Sequence, residues 1–197
     1  MDNGASSYRR FREGDDEGIV QIVRDYKDGL ILYLREYVAS IHTAEELAED
    51  TFFRLMIKKP IFSGKSSFKS WLYAIGRHIA IDYVRKNARQ VQVSPEEQDA
   101  CLRRNAGSEP DYREEEADLE RAYLKKEQKL QLHEAMKKLS PDYRQILWLS
   151  YFEELSNEEI AVVMKKNSRQ IRNLLYRAKM SLRSVLEKEG FDYEDFV

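Results

Sequence analysis

LSPDYRQILWLSYFEELSNEEIAVVMKKNSRQIRNLLYRAKMSLR, residues 139–183, decides the fold. Ser140 is a natural N-cap, and Pro141 stands at a first helical position, where a missing N–H is harmless. Ile146, Leu147, Leu149 and Phe152 mark one helix. Ser156-Asn157-Glu158-Glu159 has the form of a capping box, and Ile160, Val163 and Met164 supply the buried face of the helix it opens. Lys165-Lys166-Asn167-Ser168 interrupts that face, and Asn167 or Ser168 can cap the next helix. This third helix buries Ile171, Leu174, Leu175, Ala178 and Leu182 at helical spacing. Two short helices, a turn and a longer helix make a helix-turn-helix arrangement.

Charge says which surface this unit uses. Val163–Arg183 carries seven basic residues (Lys165, Lys166, Arg169, Arg172, Arg177, Lys179, Arg183) and no acid, while Glu153, Glu154, Glu158 and Glu159 lie just before. Such segregation suits a helix facing phosphates. Arg169, Gln170, Arg172 and Asn173 fall on its N-terminal turns, from which side chains reach base edges in a major groove. The competing reading is a solvated basic helix on an ordinary bundle.

Outward from this unit, 197 residues allow one large or two small domains. Four prolines, eight glycines and an abundance of Leu, Lys, Glu and Arg favour an all-α protein. No apolar run approaches a membrane span, and the N-terminus lacks a signal-peptide core. Cys101 is the only cysteine, so no internal disulfide forms and a reducing cytoplasm is the expected setting. Net charge is −2, but it divides into +2 over 1–90, −5 over 91–127 and +1 over 128–197. Two basic patches therefore survive on either side of an acidic middle, and it is the local patch that a phosphate feels through salt screening.

Residues 1–18 read as a polar, ragged segment. A helical pattern runs from Ile19 to about Ser40, with Gly29 placed to kink or break it. Thr43 and Glu46 form a capping box for a helix over roughly 44–57 that buries Leu47, Phe52, Leu55 and Met56, or some rotation of these, with Glu45, Glu46, Glu49 and Asp50 outside. Residues 58–67 make a loop punctuated by Pro60 and Gly64, and a helix follows from Phe68 to about Lys86. Between Gly64 and Gln90 lie Lys65, Lys69, Arg77, Arg85, Lys86 and Arg89 against one acid, Asp82, interleaved with Phe68, Trp71, Tyr73 and Tyr83. Cations and rings together suit single-stranded nucleic acid, although the helical spacing of Trp71 reads as core. Residues 88–120 lose periodicity and read as an acidic linker; helix resumes over about Asp118–Lys138, and Gly190–Val197 is an acidic, aromatic tail.

Two separate stretches, taken together, now resemble one family. AEELAEDTFFRLMIKK followed by FKSWLYAIGRHIAIDYVRK resembles region 2 of bacterial RNA polymerase sigma factors, and the opening stretch resembles their region 4. Order and short length resemble the extracytoplasmic-function (ECF) group of the sigma-70 family. The resemblance implies two small helical domains, a region 2 bundle over 19–90 and a region 4 helix-turn-helix over 121–190, joined by an acidic linker over 91–120, with 1–18 and 191–197 outside. It implies a sigma factor that binds core polymerase through the β′ coiled coil and β flap and directs promoter-specific initiation, expected in a stress or envelope response. Glu46, Glu49, Asp50 and Arg54 match the part that grips core polymerase. Loop 61–67 and the helix from Phe68 match the part that opens the minus-ten element and catches an unstacked base; Lys65, Lys69, Arg77, His78, Arg85 and Lys86 are the candidates there. Arg169, Gln170, Arg172, Asn173 and Arg177 match the helix that reads the minus-thirty-five element. His78 stands where many relatives have asparagine, and Lys165-Lys166 where they usually have glycine and an aliphatic residue. An anti-sigma factor commonly occludes these surfaces in the family.

Catalysis is a poor fit. His42, His78 and His133 suggest no metal set, no phosphate loop or serine elbow is present, and the carboxylates Glu114–Glu116 fall in a linker. No cofactor, small-molecule substrate, metal or membrane insertion is expected. The rivals are a stand-alone helix-turn-helix regulator, dimeric on duplex half-sites, and a protein-interaction adaptor that keeps the fold.

Overall fold

A computed structural model describes residues 3–38, 40–91 and 131–191, all helix and loop. The expected linker beyond Val91, the start of the helix expected from Asp118, and the tail beyond Phe191 lie outside the described residues. The elements are α1 (Asn3–Arg12), α2 (Glu17–Arg35), α3 (Ile41–Lys58), α4 (Phe68–Val91), the described part of α5 (131–137), α6 (Pro141–Leu147) running into a π-turn (Trp148–Phe152), α7 (Asn157–Met164) and α8 (Ser168–Lys188). The all-α class is as the sequence suggested.

The N-terminal segment departs from expectation, because α1 is a docked helix. Tyr8 and Phe11 are buried, the Tyr8 hydroxyl donates to the Pro60 carbonyl at 2.7 Å, and the Lys59 ammonium sits 4.5 Å from the Phe11 ring centroid. A ten-residue helix is not stable alone; this one forms because two rings at i and i+3 find an apolar floor.

Helix α2 runs unbroken through Gly29. A Cβ at that position would lie 2.6 Å from the Tyr73 hydroxyl, so the glycine marks a close approach, not a kink. Helix α3 begins a turn earlier than the expected Thr43 capping box: Ser40 is the N-cap and accepts from the Thr43 N–H at 3.4 Å. That start carries Ile41 onto the core. The buried stripe is Ala44, Leu47, Ala48, Thr51, Phe52 and Leu55. Met56, expected inside, falls on the outer face. Helix α4 continues to Val91, past the expected end at Lys86.

The second unit forms largely as expected, although Phe152 is exposed at the end of a π-turn and Leu174 and Leu175, expected inside, are only half-buried. Ser156 and Glu159 close a reciprocal capping box on α7, and Asn167 and Gln170 close another on α8. Ser140 occupies the N-cap of α6 with Pro141 at its start, though its side chain makes no cap bond. Lys165 ends α7 in the left-handed region (φ 52, ψ 46), where a Cβ is strained. Lys165→Gly is therefore expected to stabilise the chain by roughly 0.5–1 kcal/mol, less the added freedom of the unfolded glycine; chemical denaturation checks this.

Buried residues of α1–α4 and α5–α8 belong to one apolar cluster, and α4 lies against α7.

Candidate nucleic-acid interface

Three surfaces gather the candidate residues. The first is the start of α8. Its cap fixes the entry angle: the Asn167 side chain accepts from the Gln170 N–H at 2.8 Å, and Gln170 Oε1 accepts from the Asn167 N–H at 3.0 Å. Ile171, Ala178, Leu182 and Leu186 bury the opposite face. Arg169, Gln170, Arg172, Asn173 and Arg177 are thereby left exposed on one side. The Oε1 of Gln170 is committed to the cap, which leaves its amide nitrogen as the group that can reach outward. Tyr176, exposed beside them, was not among the candidates read from the sequence.

The second surface is loop 59–67 with the start of α4. Its floor is a stack of rings: Phe68 touches Tyr8, Tyr26, Phe62 and Trp71 at centroid distances of 5.5, 5.7, 5.6 and 5.5 Å. Trp71 thus belongs to this floor and is half-buried. Between loop and α1 opens a recess of about 530 Å³ lined by Tyr8, Arg9, Arg12, Phe62, Ser63 and Gly64, among others. Arg9 and Arg12 were invisible as candidates while α1 read as ragged; the Tyr8/Phe11 spacing was the available signal. Lys65, Arg85 and Lys86 are exposed. His78 Nδ1 lies 3.1 Å from the Asp82 carboxylate. Arg77 is half-buried beside Tyr37 and has a buried Nε without a hydrogen-bond partner. Lys69 is paired with Glu153, its Nζ 2.7 Å from the carboxylate.

The third surface is the outer face of α3. Glu46, Glu49 and Asp50 are exposed and Arg54 half-buried. Apolar side chains share this face: Phe53 is 61% and Ile57 65% exposed, with Met56 beside them. A groove of about 440 Å³ between α2 and α3 is lined by Val23, Lys27, Glu49, Asp50, Phe53 and Met56, among others. Exposed apolar residues grouped with charge mark a protein-docking face. The acids were legible in the sequence, as was the burial of Phe52; Met56 reads at core spacing and turns outward only once α3 is seated on its core.

Carboxylates do flank two of the histidines. His42 lies within 3.7 Å of Glu45 and 3.5 Å of Glu46. Among the described residues no group of three or more possible ligands forms a metal set, and no helix is long and apolar enough to cross a membrane.

Two family profiles match, sigma-70 region 2 over residues 22–90 and sigma-70 region 4 over 129–182, together more than half the chain. Among curated relatives, RNA polymerase sigma factor YlaC of Bacillus subtilis is 29% identical over 87% of this chain and 94% of its own length. The ECF RNA polymerase sigma factor SigM of the same organism is 27% identical over 86% and 96%. Among solved structures, sigma factor RpoE of Bartonella quintana, crystallised with the anti-sigma factor NepR, superposes with a TM-score of 0.64 at 23% identity, covering 85% of this chain and 95% of that one. CnrH, in complex with the cytosolic domain of CnrY, gives 0.61 at 19% identity, covering 94% and 96%. Both structures share the fold.

Proposed function

The chain belongs to the sigma-70 family, in its ECF group, and from that membership we propose how its surfaces direct promoter-specific transcription by RNA polymerase. The exposed, acid-free N-terminal half of α8, held by its capping box, carries the reading: Arg169, Gln170, Arg172, Asn173 and Arg177 enter the major groove of the minus-thirty-five element. Loop 59–67, α4 and the arginines of α1 hold the opened minus-ten strand. The recess beside Phe62 takes an unstacked base, and Lys65, Lys69, Arg77, His78, Arg85 and Lys86 remain the candidates for its backbone. Phosphate attraction there is sequence-independent; the shaped recess adds choice.

The α3 face docks the β′ coiled coil of core polymerase. Glu46, Glu49, Asp50 and Arg54 steer and register the contact, while Phe53, Met56 and Ile57 supply buried area. The second unit meets the β flap. The chain itself performs no chemistry in this scheme; phosphoryl transfer belongs to the polymerase, and an anti-sigma factor would act by covering these same faces. In this reading the two tasks fall to residues 19–90 and 121–190. No observation favours a stand-alone dimeric regulator.

Run-off transcription from a genomic library, with purified core polymerase and this chain, tests the proposal. Discrete new start sites support it, and no start site at any promoter refutes it. Within that assay, Arg172→Ala is expected to weaken minus-thirty-five binding by about 1–3 kcal/mol with relaxed preference at one position; footprinting across single-base variants reads this out.

A further inference from the structure

We propose that Asp82 is a positioning residue for strand binding: it engages one ring nitrogen of His78 so that the other, once protonated, donates to a phosphate of the opened strand, and binding takes up a proton. The inference rests on the assignment of α4 to the minus-ten strand.

Asp82 is the one acid between Gly64 and Gln90, set among the cations of that stretch. A bare carboxylate there would repel the phosphates of the strand. It is not bare: His78, one turn back, places Nδ1 3.1 Å from the carboxylate, and both side chains are about half exposed. Steps of seven, four and three residues put Trp71, His78, Asp82 and Arg85 on one stripe of α4. His78 and Arg85 stand opposite the buried line of Leu72, Gly76 and Ala80. Trp71 touches Phe62 at a centroid distance of 5.2 Å, and Phe62 lines the recess. A strand with one base in the recess meets His78 about 10 Å further along the helix.

Asp82 decides what His78 can offer. A neutral imidazole carries a single N–H. With Nδ1–H donated to Asp82, Nε2 is left as an acceptor, and a phosphate oxygen, itself an acceptor, finds nothing to bind. In the imidazolium both nitrogens donate: Nδ1–H to the carboxylate and Nε2–H to phosphate, each bond assisted by charge. The proton comes from solvent, no covalent bond between heavy atoms changes, and the pair passes from a net anion to neutral as the strand arrives. A phosphate on Nε2 adds a second anion beside the ring, so the complex holds the proton more tightly than the free protein does. Affinity therefore rises as pH falls through the range in which histidines titrate.

The charges on the elements packed against α4 are engaged elsewhere. Glu153 takes Lys69, Tyr73 and Trp148, and Glu159 of α7 faces Ser67 and Lys69. Tyr33 and Tyr37 of α2 face Arg77, and Arg12 of α1 acts on Tyr8. Among the described residues Asp82 is the charged partner of His78.

The test uses holoenzyme assembled from core polymerase and the full chain, with fork DNA from a promoter found by run-off transcription. Affinity is measured at pH about 8 and about 6, on either side of histidine titration. Each value is taken relative to His78→Asn, a side chain that donates without titrating, so the response of the polymerase itself cancels. Wild type is expected to gain several-fold at the lower pH, at most about tenfold per pH unit for one proton. Asp82→Glu keeps the charge within reach and should retain the gain. Asp82→Asn should lose most of it and bind more weakly than wild type at the lower pH. A merely repelling Asp82 predicts the opposite sign, with Asp82→Asn tighter at both pH values. That result, or a wild-type profile parallel to His78→Asn, overturns the proposal. Thermal unfolding of the variants should match wild type, since both side chains are about half exposed. Arg85→Ala reads the underlying assignment and should weaken fork binding equally at both pH values. No weakening there overturns the assignment of α4 and this proposal with it; weakening there without a pH-dependent gain in wild type overturns the proposal alone.

Discussion

Reversing Glu49 and Asp50 together to lysine is expected to abolish assembly with core polymerase at concentrations where the wild-type chain assembles fully. Both side chains are exposed, on the rim of the groove formed by α2 and α3 beside Phe53 and Met56. Placing like charges across a formed interface costs several kcal/mol, and each ~1.4 kcal/mol is a tenfold loss of affinity, so a loss above about a hundredfold is expected. Neither carboxylate holds a partner in the core, and exposed substitutions usually stay within about 0.5 kcal/mol of neutral. Thermal unfolding of the double variant should therefore match wild type. Co-elution with core polymerase on size exclusion is the measurement, and undiminished assembly would remove this patch from the interface. Phe53→Ala is the companion: it deletes an exposed ring, so it should weaken assembly while sparing the fold.

Phe68→Ala carries the other large effect, on stability. Phe68 opens α4, is fully buried, and touches four other rings across α1, α2, the loop and its own helix. Truncating a buried phenylalanine costs about 3–5 kcal/mol in transfer and cavity terms, against the roughly 5–15 kcal/mol that separates folded from unfolded domains. Because Tyr8 and Phe62 pack on this ring, α1 and the loop should loosen first and the recess between them should lose its shape. Urea unfolding reads the global cost, and amide exchange in residues 3–12 and 59–67 reads the local one. A loss below about 1 kcal/mol would mean the ring stack is dispensable.

Legibility differed between the two units. The caps of the second unit could be read in place because its instructions are local: Ser156 with Glu159 and Asn167 with Gln170 satisfy backbone N–H groups within one turn, so the caps are written in four-residue words. The exposed cations of α8 follow from its strong 3.6-residue apolar period. The first unit resisted at the points where its contacts are distant in sequence. The α1 segment looked ragged because Tyr8 depends on Pro60 and Phe68, more than fifty residues away. The Thr43 capping box lost to Ser40 because Ile41 gains burial by joining the helix. The candidate cations Lys65, Arg85 and Lys86 stand where the pattern placed them, but the sequence had no means to show that Lys69 and Arg77 turn toward Glu153 and Tyr37.

The residue order by itself determined an all-helical chain, its helix-turn-helix and the face that α8 turns outward, because caps and apolar periods act within a few residues of the backbone they organise. Tertiary structure alone decided that α1 is a helix, which rings floor the loop, that Phe53 and Ile57 emerge beside the acids of α3, and that Glu153 joins the two units. Each of those outcomes depends on which surfaces meet after long stretches of chain have closed. A buried carboxylate such as Glu153 is sustained only by donors brought to it from both sides, and no local pattern records where they come from.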